Sequence, residues 1–159
     1  MKRLEKCLVI AAVALVIPLV VAAQAKPEEA IRARQSIMRV IALNFGPLGK
    51  MASGDAAFDK AKFQENAARI ESVWSMNVGQ FFIPGTDKPV SGAKIATFTD
   101  AKPEIWQQMD KFKAVADQAT QRVKALSEAG KSGDEKAMRA ATGELAKSCK
   151  ACHDDFRAK

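Results

Sequence analysis

Two cysteines and the only histidine of the chain lie within five residues of one another near the C-terminus. The stretch SCKACHDDFR, residues 148–157, places Cys149 and Cys152 three positions apart and His153 directly after them. A Cys-x-x-Cys-His sequence is the attachment motif of c-type haem. Each thiol forms a thioether with one haem vinyl group, and the imidazole binds the iron. On a helix these side chains share one face and reach one flat group together. The motif therefore predicts one haem c attached through both cysteines.

Other uses of the two cysteines fit the sequence less well. A disulfide between Cys149 and Cys152 would close a very short loop and would constrain little. A thioredoxin-like redox pair needs a preceding strand, and no strand pattern precedes this motif. A zinc site needs more ligands than one His and two Cys, unless carboxylates or a second chain contribute. A chance cluster on a buried helix face is the alternative without chemistry.

The first 25 residues have the pattern of a secretory signal peptide. A short basic start, MKRLEK, precedes the apolar run CLVIAAVALVIPLVVA and the small-x-small sequence Ala23-Gln24-Ala25. This pattern predicts cleavage after Ala25 and a mature domain over residues 26–159. The apolar run is also near the lower length limit of a membrane span, so an uncleaved anchor is the alternative. Export is consistent with haem c, which bacteria attach outside the cytoplasm, so we expect a periplasmic protein without membrane association after cleavage.

The charge of the mature chain is moderately basic. The whole chain has a net charge of +7, and cleavage removes three basic residues and one acidic residue, which leaves +5. Redox partner proteins, acidic ones in particular, are the expected partners, and Lys147 and Lys150 are candidates for steering them. An ordinary solvated surface is the simpler interpretation of these lysines. Nucleic acid is not an expected partner, because no binding motif is present.

The periodicity of apolar residues predicts four helices. The first begins at Pro27 and ends before Gly54, the second runs from an Asp59 cap to about Gly79, the third begins near Pro103, and the fourth follows EAGKSGD. Residues 80–101 are rich in Gly, Pro, Ser and Thr and predict a crossing loop held to the core by four apolar residues. These are Phe81, Phe82, Ile83 and Phe98. The expected fold is all-α, an antiparallel up-down-up-down four-helix bundle.

A C-terminal CKACH motif after three other helices resembles the class II c-type cytochromes, the cytochrome c′ and cytochrome c-556 group. Further similarities are KPEEAIRARQS at the start of the first helix, NFG at 44–46 and KPEIW at 102–106. The resemblance implies that Arg34 lies by the haem propionates and that Arg157 lies beside the proximal imidazole. Two positions depart from the common pattern of the group: Ala33 replaces an aromatic residue, and Phe156 replaces a tyrosine.

The residue opposite His153 decides what such a haem does. In the group this residue follows the first-helix arginine by four positions, and here it is Met38. A Met38 thioether on the iron would give a low-spin electron carrier with His153 and Met38 as metal ligands, which is the function we expect. The alternative is a five-coordinate, high-spin cytochrome c′ that binds NO or CO, with Met38 as core filler. No catalytic residues are expected, so the chain is not predicted to be an enzyme, and both a monomer and a homodimer are compatible with the resemblance.

Overall fold

The computed structural model describes residues 25–93 and 97–159, and the proposed signal peptide lies outside these residues except for Ala25. Its five α-helices are α1 (Pro27–Ser53), α2 (Lys60–Trp74), α3 (Glu104–Gln107), α4 (Met109–Ser132) and α5 (Glu135–Phe156). A short 3-10 helix, Val78–Phe81, follows α2. Within the described residues there is no strand, and Ala101 and Arg157 form an isolated antiparallel bridge. None of the described helices has the length and apolar character needed to cross a membrane.

The four long helices form an antiparallel four-helix bundle, as predicted. Helix α1 packs against α2 and α5, and α4 packs against the same two neighbours, which closes the ring. Buried apolar side chains from all four helices meet in a first cluster. Its largest fully buried members are Leu48, Phe63, Ile70, Leu126, Met138 and Leu145. A second cluster, Ile105, Phe112 and Phe156, lies where α3, α4 and the end of α5 meet.

The helix ends show why these segments stop where they do. Pro27 occupies the first turn of α1 with Glu28 and Glu29, and Gly54 ends that helix at φ 90°. The Asp59 carboxylate caps α2 by accepting the Lys62 N–H at 2.9 Å. Such caps satisfy the N–H groups that a helix leaves unpaired at its start. The predicted ends of α1 and the predicted cap of α2 are therefore confirmed.

From the end of α2 onwards, three details of the structure differ from the sequence prediction. Helix α2 ends at Trp74 rather than near Gly79, because Asn77 adopts the left-handed region at φ 53°. The third helix is interrupted at Gln108, whose φ and ψ of −125° and 47° separate α3 from α4. Phe98 does not pack inwards; it is 75% exposed, because the neighbouring Thr97 and Thr99 side chains turn towards the protein instead.

Helices α2 and α4 approach closely at Gly130. An added Cβ at this position would lie 3.5 Å from the Ala67 Cβ and 3.8 Å from the Gln64 Cα. The Gln64 side-chain amide donates to the Gly130 carbonyl at 2.8 Å across the same contact. The predicted linker EAGKSGD is thus mostly the last turn of α4, and only Gly133 and Asp134 separate α4 from α5.

Candidate haem-attachment site

Helix α5 positions the attachment residues. Its N-terminus is capped by Asp134, whose carboxylate accepts the Ala137 N–H at 3.0 Å. Cys149 and Cys152 follow on successive turns, and both are partly buried free thiols. Cys149 packs against the first cluster and Cys152 against the second. The two sulfurs therefore lie along the inward-facing side of one helix, as attachment of one flat group requires.

The environment of both thiols keeps them protonated at neutral pH. Burial raises the pKa of Cys149. Burial also raises the pKa of Cys152 to about 11, with smaller contributions from Cys149 and Asp155. Loss of solvent disfavours the charged thiolate, which is the reason for both shifts. A neutral thiol carries the sulfur and the hydrogen that thioether formation adds across a vinyl double bond.

His153 lies on the outer part of the last turn of α5. Its side chain is exposed and borders an open cleft of about 420 Å³, lined also by Asp100, Lys102, Asp154 and Arg157. Desolvation lowers the pKa of His153, the nearby charge of Arg157 lowers it further, and Asp154 opposes both. A lowered pKa favours the neutral imidazole, which is the form that binds a metal through its lone pair.

Arg157 lies in the same cleft as His153 and ends α5 in an extended conformation. Its backbone N–H donates to the His153 carbonyl at 3.1 Å, and its guanidinium lies 3.4 Å from the Asp100 carboxylate. Asp100 thus lies opposite this arginine in the cleft. The proximity of Arg157 to His153 agrees with the implied position, while its role towards a bound haem stays a prediction.

Met38 lies on α1 and is partly buried. It packs against the same apolar cluster that Cys149 contacts from α5. The side chain thus lies on the inward stripe of α1, in surroundings that suit both a haem-facing residue and a core-filling methionine. Ligation of iron by Met38 stays a prediction.

Arg34 is buried, with 4% of its surface exposed, and its guanidinium is directed at the long connection between α2 and α3. It donates to the Thr86 hydroxyl at 2.5 Å, the Thr99 hydroxyl at 2.6 Å and the Phe81 carbonyl at 3.4 Å. It also donates to the Thr86 carbonyl. Burial lowers its pKa and the charge of Asp87 opposes this shift, but a guanidinium stays charged throughout the ordinary pH range. Sequence reasoning missed Thr86 and Thr99, because threonines in a polar loop carry no pattern that predicts burial.

The lysines considered for partner binding have acidic neighbours on their own helix. Lys147 lies 2.7 Å from the Glu144 carboxylate and Lys150 lies 2.5 Å from that of Asp154. All four side chains are largely exposed, so these pairs contribute little stability. They also reduce the local positive charge of this face of α5, which favours the interpretation as a solvated surface.

The residues present fit a covalently held haem better than a bare metal ion. In the part of the chain that the structure describes, no three His, Cys, Asp or Glu side chains come together to hold a metal ion. The motif instead offers two thiols against apolar clusters and an adjacent imidazole, which are the donors that haem c requires. The inward placement of both sulfurs agrees with this chemistry.

Comparison with known proteins identifies the family. The family model described as Cytochrome C′ matches residues 29–157. Cytochrome c′ from Rubrivivax gelatinosus is 40% identical over 134 residues, which cover 84% of this chain and 98% of that protein. Cytochrome c′ from Alcaligenes xylosoxydans xylosoxydans is 34% identical over 85% of this chain and 98% of that protein.

Solved structures give the same result. The crystal structure of the Rubrivivax gelatinosus protein matches with a TM-score of 0.76 at 40% identity, over 85% of this chain and 99% of that one. A nitric oxide complex of a variant cytochrome c prime from Alcaligenes xylosoxidans matches with a TM-score of 0.73 at 34% identity, over 85% and 98% of the two chains. This chain is thus a class II c-type cytochrome that belongs to the cytochrome c′ family and carries one haem c attached through Cys149 and Cys152.

Proposed function

We propose that this protein binds a small diatomic ligand, NO or CO, at a five-coordinate haem iron. The observation that carries the proposal is the similarity to cytochrome c′, including a structural relative, 34% identical with a TM-score of 0.73, that is described in complex with nitric oxide. This similarity favours the gas-binding alternative over the low-spin carrier that the sequence led us to expect. When bound, haem iron offers an axial position to such ligands and also exchanges electrons.

In this proposal each attachment residue has one task. Cys149 and Cys152 would hold the haem covalently on α5, and the His153 imidazole would bind its iron. Desolvation, and then the charge of Arg157, lower the pKa of His153 and so favour the neutral imidazole. Met38 would act as an apolar lid at the haem iron, from within the apolar surroundings that it shares with Cys149. An apolar lid limits the entry of water. A small uncharged ligand then finds space only when the Met38 side chain moves.

The location and partners follow from the same proposal. A signal peptide cleaved after Ala25 would deliver the mature domain to the periplasm, where haem c is attached. Redox partner proteins would reduce the iron, and the net charge of +5 after cleavage favours acidic ones. A homodimer is compatible with the exposed apolar residues Val40 and Leu43 on α1, and a monomer is the alternative. No residue is proposed as catalytic.

A CO titration of the ferrous protein tests this function. We expect CO to bind the unaltered protein, and to bind faster in Met38→Ala because the lid is removed. Met76→Ala is the matched control, since Met76 is 59% exposed and should leave the rate unchanged. The proposal is wrong if the unaltered ferrous protein does not bind CO and the Met38→Ala variant does. That result would show that Met38 ligates the iron.

A further inference from the structure

The long connection between α2 and α3, residues 75–103, is held to α1 at two separate places. Near its start, the Phe81 carbonyl and both the carbonyl and hydroxyl of Thr86 accept hydrogen bonds from Arg34. Near its end, the Thr99 hydroxyl accepts from Arg34 at 2.6 Å and the Phe98 carbonyl accepts from the Gln35 amide at 2.5 Å. Two consecutive residues of α1 therefore pin both limbs of one connection, and we call them the α1 clasp.

The Arg34 hydrogen bonds of the clasp form a buried and partly buried network. The Thr86 hydroxyl accepts from Arg34 and donates to the Ile83 carbonyl at 2.7 Å. The Thr99 hydroxyl accepts from Arg34 and from the Ala101 N–H at 3.2 Å. Thr86 is fully buried, so loss of its partner would leave polar atoms without water. Charge-assisted bonds of this kind are stronger than neutral ones, and buried networks of them fix one arrangement.

The orientation of the Arg34 guanidinium leaves few of its donors for any other group. Each terminal nitrogen makes two of the four bonds to the connection, so all four of their N–H groups are directed there. The flat face of the guanidinium lies over the Phe82 ring, 5.2 Å from its centroid. The contacts of this chain assign Arg34 to the connection, and its implied place beside the haem propionates stays a prediction.

The clasp also lies where it can affect the haem. Arg34 precedes Met38 by about one helical turn on α1. The far end of the connection is tied to α5 three residues after His153, because the Lys102 N–H donates to the Phe156 carbonyl at 3.0 Å. The Lys102 ammonium donates to the Asp155 carbonyl at 3.0 Å as well. One connection thus links the helix that carries the proposed lid with the helix that carries the axial histidine.

We propose that Arg34 is a positioning residue that, with Gln35, holds this connection between α1 and α5 and thereby limits entry of small ligands to the haem. The part of this inference that concerns entry rests on the proposed gas-binding function; the part that concerns the connection does not. Removal of the clasp frees both limbs of the connection without altering the attachment residues. The ligand should then reach the iron faster.

Hydrogen exchange and CO association, both measured on the haem-loaded protein, test the inference. The informative variants are Arg34→Gln and the double variant Thr86→Val with Thr99→Val, which removes the acceptor hydroxyls but leaves the arginine. We expect amide exchange in residues 81–93 and 97–101 to accelerate by at least about tenfold in both, because each variant affects at least two hydrogen bonds to the Arg34 charge and loss of one such bond already corresponds to about tenfold. Arg34→Lys should restore part of the protection. Arg39→Gln is the control, because Arg39 is exposed on the same helix outside the clasp.

The second readout separates positioning from a direct role at the haem. CO association should rise in Arg34→Gln and in the threonine double variant, while the reduction potential of the threonine variant stays at its original value. The role of the clasp would be refuted if amide exchange in the threonine variant stayed at the rate of the unaltered protein. It would also be refuted if Arg34→Gln shifted the reduction potential without faster amide exchange. Faster exchange with unchanged CO association would contradict control of entry. If the unaltered protein binds no CO, the proposed function fails, and the exchange data alone still decide the clasp.

Discussion

Replacement of Phe156 by alanine should be one of the most damaging substitutions at the haem-attachment end of α5. Phe156 is only 3% exposed and belongs to the second cluster with Ile105 and Phe112. Its ring meets that of Phe112 edge-on, with centroids 5.3 Å apart, and the Lys111 ammonium lies 5.8 Å from its centroid. The truncation removes all of these contacts three residues after His153.

The expected loss follows from burial and from the ring pair. A Phe-to-Ala change in a core costs about 3–5 kcal/mol of unfolding free energy, because the lost transfer energy adds to that of the cavity. Within this figure the edge-on pair with Phe112 accounts for about 0.5–1.5 kcal/mol. Phe98→Ala is the matched control, since that ring is 75% exposed and should change stability by less than about 0.5 kcal/mol.

Urea unfolding of the haem-loaded protein, followed by far-ultraviolet circular dichroism, measures both variants. The midpoint should fall sharply for Phe156→Ala with an unchanged slope, and should barely move for Phe98→Ala. Equal losses in the two variants, or a larger loss for Phe98→Ala, would refute the assignment of Phe156 to the core and of Phe98 to the surface.

Three further predictions concern the helix ends and the attachment thiols. Asp134→Ala removes the cap of α5 and should lower the free energy of unfolding in urea by about 1 kcal/mol. The control Asp117→Ala, at an exposed position within α4, should lower it little. Equal losses in the two variants would argue against the cap. Gly133→Ala should lower the free energy of unfolding by about 1 kcal/mol, because the φ of Gly133 is 71°. Gly143→Ala should raise it by about 0.5–1 kcal/mol, because Gly143 lies within α5 and an added Cβ would meet open space. A change of the same sign in both variants would contradict this argument. In haem-free protein, burial raises the pKa of Cys152 to about 11 against 9.0, so the urea midpoint should fall as pH rises through that interval, because the unfolded chain ionises this thiol there while the folded chain keeps it protonated; haem-loaded protein, in which the thiol is consumed, should show no such fall from this residue.

The sequence predicts both ends of α1 and the start of α2 because local chemistry decides them. Pro27, Gly54 and Asp59 each act through their own backbone or a bond within one turn, so their types are enough to predict their roles. The attachment site is likewise local, since Cys149, Cys152 and His153 lie on one stretch of α5. The inward placement of the two cysteines follows from helical spacing.

The features that sequence reasoning missed depend on contacts between distant segments. The break at Gln108 has no Gly or Pro to mark it. The exposure of Phe98 depends on the threonines beside it, which are held by Val90 and by Arg34, 65 positions from Thr99. Apolar character predicts burial of a phenylalanine, but a network of buried hydrogen bonds decides here which side of the connection faces the core. The partners of Arg34 were missed for the same reason.

The electron paramagnetic resonance spectrum of the ferric haem-loaded protein at neutral pH shows whether His153 is the one protein ligand on the iron. If it is, we expect a high-spin signal. That signal should persist in Met38→Ala and in the exposed control Met76→Ala. A low-spin signal in the unaltered protein, converted to high-spin by Met38→Ala alone, would contradict the claim and establish Met38 as the sixth ligand.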